Sequence, residues 1–286
     1  MMIERILVIG AGTMGRQIAM SCALAGYATI LQDVSAQVLR EARAELEGWA
    51  ASRVAKGKMA REDAELALGR LSQSTDLERS AGQADLVIEA AVEQREIKER
   101  IFAQLGCVAP THAILATNSS TLPSSAIAAA SGRPALVCNM HFFNPALVMK
   151  CVEIVRNGQT SDATVQAVMG VAKRLGKEPV LVNKEIPGFI ANRIMGAINR
   201  EALELAEAGV ASIDDIDTTA RTALGHPMGP FELMDLVGLD VIDFIAQMTY
   251  AQSGEEQDRP HQLITEKVRS GKLGRKSGEG FYPYTH

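Results

Sequence analysis

Val8 to Gly15 reads VIGAGTMG, and the setting of this stretch decides the fold. It closes an apolar run, Ile3–Ile9, and opens a helical pattern. Met14, Ile18, Cys22 and Ala25 of that helix share one stripe, which Gly26 stops. Strand, glycine turn and helix in that order form the opening of a βαβ unit, and the glycines fall as G-x-G-x-x-G. Gly10 permits the tight turn, Gly12 lets a pyrophosphate approach the backbone, and Gly15 allows helix and strand to pack closely. Thr13 and Met14 begin a helix whose free N–H groups and positive dipole end face the phosphates. The next strand, Ala28–Gln32, runs into Asp33, at the spacing of a carboxylate that binds the adenosine ribose hydroxyls. A carboxylate there also repels a 2′-phosphate, so the expected cofactor is NAD. A plain glycine turn with a capping aspartate is the alternative; the agreement of strand, turn, helix and acid weighs against it.

Working outward, short β-rich runs alternate with helical patterns through the first two-thirds of the chain, as in βαβ units around a parallel sheet. Further strands are expected at Asp85–Glu89, Ala113–Thr117, Ala135–Phe142, Cys151–Val155 and Pro179–Val182. A helical stretch from about Ser35 to Lys58 is far longer than a minimal crossover and reads as an insertion projecting from the sheet. Another helix is expected over Gln94–Cys107. After Pro187 only helical patterns occur, at about Gly188–Ala208, Ser212–Leu224, Gly229–Leu236, Asp240–Gln252 and Gln262–Ser270. The expected fold is α/β, with a Rossmann-like, mostly parallel, doubly wound sheet over residues 1–184. An all-α domain over 185–286 follows it.

The bulk numbers narrow the function. A chain of 286 residues suits two domains, and 47% hydrophobic with 22% charged residues is an ordinary globular balance. A net charge of -5 argues against nucleic acid or an anionic membrane as the main partner. Cys22, Cys107, Cys138 and Cys151 make no CxxC spacing and sit in apolar runs, as buried thiols do in a reducing compartment, so neither a disulfide frame nor a metal site is expected. The chain passes straight from Met1-Met2 into IERILVIG, and no apolar run approaches the roughly 20 residues of a membrane span. A cytoplasmic protein without a leader is the expectation.

Several residues then stand where chemistry is possible. Glu89 ends a strand, with Glu93 and Lys98 just beyond, and ligands of open α/β sheets lie outside the carboxyl ends of the strands. Asn118, Ser119 and Ser120 follow another strand in ATNSSTLP, where a helix-capping loop is an equally good reading. NMHFFNPALVMKCVEIV, Asn139–Val155, holds His141 and Glu153 in two apolar runs split by Asn144-Pro145. Across so short a turn the two side chains can meet, with the imidazole as base and the carboxylate fixing its tautomer. A hydrogen-bonded core histidine beside an unrelated strand glutamate remains open from spacing alone. In IPGFIANRIMGAINR, Asn192, Gly196 and Asn199 recur at helical steps as a small polar stripe, facing either solvent or a cleft.

Together GAGTMG, VIEAAVE, TNSSTL, MHFFNPALVMKCVEIV, IPGFIANR, GHPMGPFELMDLVGLD and the tail LGRKSGEGFY resemble the L-3-hydroxyacyl-CoA dehydrogenase family, in its short-chain bacterial type, over essentially the whole chain. The resemblance implies oxidation of an L-3-hydroxyacyl-CoA, such as 3-hydroxybutyryl-CoA, to the 3-ketoacyl-CoA with NAD. It implies His141 as general base and Glu153 as the acid that orients it. Ser120 and Asn192 would hold the 3-oxygen and thioester region. Asp33, Glu93, Lys98, Ser120, Asn144 and Lys276 would contact the cofactor. It further implies homodimers formed through the helical domain, and closure of the two domains over the substrate. Coenzyme A phosphates would meet basic residues of the long insertion. There Lys56 matches a family lysine, but Ser52 stands where short-chain members often carry another; Arg53 is the neighbour that would substitute, about 100° further round the helix.

Two other readings share these motifs. A sugar-acid dehydrogenase of the L-gulonate type would keep the His–Glu pair and the NAD site but need no basic cluster on the insertion, against which SRVAKGK argues. A crystallin-like NAD-binding protein would have no turnover, against which the intact His141, Glu153, Ser120 and Asn192 argue.

Overall fold

The apolar run that precedes the glycine turn becomes the middle of a sheet. In a computed structural model of the chain, describing residues 2–284, eight strands form one sheet in the order β3-β2-β1-β4-β5-β6-β7-β8. They are β1 (Arg5–Ile9), β2 (Ala28–Gln32), β3 (Leu71–Ser74), β4 (Leu86–Glu89), β5 (Ile114–Thr117), β6 (Val137–Phe142), β7 (Cys151–Arg156) and β8 (Glu178–Val182). All neighbours are parallel except β6 and β7. β1 is buried on both faces: Ile6 and Val8 enter one apolar cluster, Leu7 and Ile9 the other. A strand sandwiched this way shows a continuous apolar run in place of alternation.

The first compact unit ends at Ile186 and the second begins at Pro187. In the first, helices α1 (Thr13–Leu24), α2 (Ala36–Ala55), α3 (Arg61–Arg70), α4 (Leu77–Ala81), α5 (Arg95–Val108), α6 (Ser125–Ala128) and α7 (Asp162–Arg174) alternate with the strands. The long expected insertion is α2, and the shorter α3 follows it. Ser35 caps α2, its hydroxyl accepting from Val38 N at 3.3 Å. Leu39, Ala42, Leu46 and Ala50 then dock the helix into the cluster under α1, while Lys56 and Lys58 lie exposed beyond it. β3, α4, α6 and α7 lie outside the sequence expectations. β3 reads LSQS, with one apolar residue, and is a strand because its backbone pairs with Thr29–Gln32.

The second unit comprises α8 (Ala191–Glu207), α9 (Ile213–Thr222), α10 (Pro230–Val237), α11 (Leu239–Ser253) and α12 (Gln262–Arg269). Beyond Ile186 the described residues add only isolated bridges within the tail. Ala202, Leu203, Phe231, Met234, Leu239 and Ile264 form its core. Two buried aspartates organise it. Asp217 accepts from Phe231 N at 2.9 Å and Glu232 N at 3.0 Å, capping α10, and from the Tyr282 hydroxyl at 2.9 Å. Asp235 accepts from Phe281 N and Tyr282 N at 2.9 Å and from the Tyr284 hydroxyl at 3.0 Å, clamping the C-terminal tail. A Cβ at Gly229 would lie 2.2 Å from Asp217 Cγ, which gives the Gly-Pro start of α10 its physical reason.

Candidate functional site

The glycine turn is built as its spacing requires. Gly10 adopts φ +94°, and a Cβ there would meet Ala90 O at 2.6 Å. A Cβ on Gly15 would fall 1.8 Å from Gly10 O, so helix and strand approach more closely than any side chain permits. At Gly12 a Cβ would find nothing within 4 Å. Gly12 is the N-cap of α1 and supplies no side-chain hydrogen bond, so the first-turn N–H groups, with Thr13 and Met14 at the helix start, are available to an anion. Asp33 spans the turn: its Oδ2 accepts from Ala11 N at 2.8 Å and its Oδ1 from Ser35 N at 2.9 Å. Its half-buried carboxylate thus stands at the lip of an open, donor-lined cradle. These residues fit a dinucleotide: open backbone donors for the pyrophosphate and a fixed acceptor for ribose hydroxyls.

Along the same edge of the sheet, past the ends of β4 and β5, Glu93 and Lys98 meet the 118–121 loop. Lys98 is 1% exposed, and its Nζ lies 2.7 Å from Glu89 Oε1 and 3.2 Å from Glu93 Oε2. Glu93 accepts from the Ser119 hydroxyl, from Thr121 Oγ1 at 2.7 Å and from Thr121 N at 3.3 Å. Burial alone would raise the Glu93 pKa, but the Lys98 charge and the Ser119 and Thr121 bonds outweigh it and hold the carboxyl below its usual range. Ser120 is half-buried between these two pinned neighbours. Asn118 Oδ1 accepts from Phe142 N at 2.9 Å, tying the loop to β6.

His141 and Glu153 come together. β6 and β7 pair antiparallel with the two residues directly opposite, and His141 Nδ1 lies 2.8 Å from Glu153 Oε2. They are 5% and 1% exposed, and the Phe143 ring stands 4.6 Å from the imidazole. A carboxylate is an acceptor, so the neutral ring carries its proton on Nδ1 and presents Nε2 as a base. β6 runs parallel to β5, which puts His141 near the carboxyl edge that also holds the glycine turn. The turn between β6 and β7 begins with exposed Asn144, whose peptide to Pro145 is cis. Lys177 steadies this turn, donating to Ala146 O at 2.5 Å and Met149 O at 2.8 Å, and burial lowers its pKa.

The remaining candidates belong to the insertion and the second unit. Arg53 is half-buried, with its guanidinium carbon 5.9 Å from the Trp49 ring centre, and its Nε finds no hydrogen-bond partner among the described residues. Asn192, Gly196 and Asn199 line a cavity of about 920 Å³ within the second unit, walled also by Leu203, Met234 and Ile242. Lys276, in the clamped tail, pairs with Asp240 at 2.5 Å. No group of three or more His, Cys, Asp or Glu able to hold a metal occurs among the described residues. Sequence reasoning passed over Thr117 and Asn139. Both are fully buried, Thr117 donating to Glu89 Oε2 at 2.7 Å and Asn139 Nδ2 to Ser119 O at 3.1 Å. Neither carries a signal beyond its place at a strand.

Known proteins resemble the chain along its whole length. The family model described as "3-hydroxyacyl-CoA dehydrogenase, NAD binding domain" matches residues 5–186, and "3-hydroxyacyl-CoA dehydrogenase, C-terminal domain" matches 188–284. A probable 3-hydroxybutyryl-CoA dehydrogenase of Deinococcus radiodurans is 41% identical, over 97% of this chain and 99% of that protein. The 3-hydroxybutyryl-CoA dehydrogenase of Bradyrhizobium diazoefficiens is 39% identical, over 99% and 96%. The crystal structure of (S)-3-hydroxybutyryl-CoA dehydrogenase from Ralstonia eutropha superposes with a TM-score of 0.93 at 36% identity, over the whole of both chains. Both halves of the sequence and the full length of its fold thus agree, and the chain belongs to the NAD-dependent 3-hydroxyacyl-CoA dehydrogenase family.

Proposed function

We propose that this chain oxidises the hydroxyl of an L-3-hydroxyacyl-CoA, 3-hydroxybutyryl-CoA first, to the 3-ketoacyl-CoA, with His141 as general base. The observation that carries this is the buried His141–Glu153 pair at the carboxyl edge of a dinucleotide-binding sheet. His141 Nε2 takes the proton of the 3-hydroxyl. Glu153 holds the ring and stabilises the imidazolium that forms. When bound, NAD supplies the acceptor for the hydride that leaves C3. Gly10, Gly12, Thr13, Met14 and Gly15 hold its pyrophosphate and Asp33 its adenosine ribose. Glu93, Lys98, Ser120, Asn144 and Lys276 are its further contacts. Ser120 and Asn192 hold the substrate's 3-oxygen and thioester region. In the reverse direction the protonated His141 is the acid.

Coenzyme A binding is assigned to Lys56 and Arg53, with the exposed Lys58 beside them. In this reading the protein works as a homodimer in a reducing, cytoplasmic setting. Ile194, Ile198, Val237, Val241 and Phe244 are exposed on the helical unit, an apolar surface suited to a second copy. No helix among the described residues is long and apolar enough to cross a membrane.

The test follows NADH absorbance with acetoacetyl-CoA, beside L-gulonate with NAD, for the wild type and His141→Ala. Turnover of the CoA ester that falls by several orders of magnitude in His141→Ala, with NADH binding retained, supports the assignment. Turnover of the sugar acid alone would overturn it.

A further inference from the structure

A lysine buried to 1% beside two carboxylates, at a strand edge, is a costly arrangement unless every charge is answered. Around Lys98 the answers close into a ring. Its Nζ reaches Glu89 Oε1 at 2.7 Å. Glu89, fully buried, accepts from the Thr117 hydroxyl at 2.7 Å through its other oxygen. Thr117 Oγ1 accepts from Ser119 N at 3.2 Å, and the Ser119 hydroxyl donates to Glu93. Glu93 returns to Lys98 at 3.2 Å. Spokes fix the ring further: Glu89 Oε1 accepts from Ala91 N at 2.7 Å, and Ser119 Oγ from Leu122 N at 2.8 Å.

The ring pins Ser119 and Thr121, the two neighbours of Ser120, from one side. Asn139 pins the same loop from β6, donating to Ser119 O at 3.1 Å and Leu122 O at 3.3 Å. The same strand carries His141 two residues on. A short polar loop held on both sides has little freedom left, which is what a group meeting a reacting oxygen requires.

We infer that Glu89 is a positioning residue for Ser120: with Thr117 and Lys98 it fixes the 118–121 loop against the strand that carries His141. The inference rests on the roles given to Ser120 and His141 above. Glu89 itself touches no reacting atom. Its carboxylate neutralises Lys98, leaving that lysine fixed so that Glu93 can hold the loop. A glutamine keeps the shape but cannot serve Ala91 N, the ammonium and the threonine hydroxyl together as acceptor.

The experiment is a double-mutant cycle in kcat at saturating NADH and acetoacetyl-CoA. It compares wild type, Ser120→Ala, Glu89→Gln and the double variant, with thermal melts to establish folding. Glu89→Gln is expected to lower kcat ten- to a hundredfold in the wild-type background and less than threefold in Ser120→Ala. Thr117→Val, which leaves the ion pair intact, serves where Glu89→Gln fails to fold; it is expected to lose three- to tenfold, again only with Ser120 present. Losses equal in both backgrounds mean a merely structural role and overturn the inference while leaving Ser120 its role. Wild-type kcat in the folded single variants overturns it as well. A Ser120→Ala protein with unchanged kcat removes the Ser120 assignment, and the inference falls with it.

Discussion

Glu153→Gln isolates the charge of the dyad from its shape. Glutamine keeps the volume at a site 1% exposed, and its amide oxygen can still accept from His141 Nδ1 across the 2.8 Å gap. What it removes is the negative charge facing an imidazolium that exists only once the substrate proton has moved. At about 4 Å between charge centres and an effective dielectric of about 20, that attraction is worth about 4 kcal/mol. If the ring is half charged in the transition state, about 2 kcal/mol is lost and kcat falls about thirtyfold; full proton transfer gives about a thousandfold. NADH formation from saturating L-3-hydroxybutyryl-CoA and NAD measures kcat in the direction in which the imidazolium forms, and NADH binding by fluorescence titration is expected to stay within threefold. Glu153 lies on β7, away from the glycine turn at the start of α1. A folded Glu153→Gln protein with kcat within threefold of wild type would refute the electrostatic role and leave Glu153 a packing residue.

Asp33→Ser should raise the KM for NADH at least tenfold and reduce the preference over NADPH, because it removes both the repelling charge and the acceptor for Ala11 N; paired NADH and NADPH kinetics check this. Gly280→Ala would bring a Cβ to 2.0 Å from Asp235 Oδ1 and loosen three hydrogen bonds to the tail. The expected loss is about 2–4 kcal/mol in urea unfolding of the helical unit, and less than about 0.5 would contradict the clamp. At Asp85, burial raises the carboxyl pKa, but bonds from Glu4 N, Arg5 N and His112 prevail and lower it below 3.8. Its stabilisation is therefore complete above the unfolded value and lost as pH falls through the folded one. Melting temperatures of wild type and Asp85→Asn should differ by a few degrees at pH 6 and converge below about pH 4; a gap that widens on acidification would reverse the sign.

The sequence by itself settled what depends on local pattern. A glycine-spaced turn between an apolar run and an amphipathic helix has one good backbone solution, so β1, the turn, α1 and Asp33 were all legible, as was the change of texture at Pro187. β3 was not, since LSQS becomes a strand only through the backbone groups of β2 that it satisfies. His141 and Glu153 could be suspected from spacing, yet their meeting depends on antiparallel register, and a slip of one residue would turn them to opposite faces. Lys98 in EIKERI reads as an ordinary solvated helix charge. Only the tertiary structure buries it, because Glu89 ends one strand, Thr117 ends the next, and the parallel sheet sets those two residues side by side. Asp217 and Asp235 tell the same story in the helical unit: each looks like a surface acid in its own helix, and each is claimed by backbone donors that arrive from elsewhere in the chain. Propensity and periodicity act over a few residues and can be read along the chain. The partner that makes a buried charge affordable arrives from a distant segment, and that pairing exists only once the chain has folded.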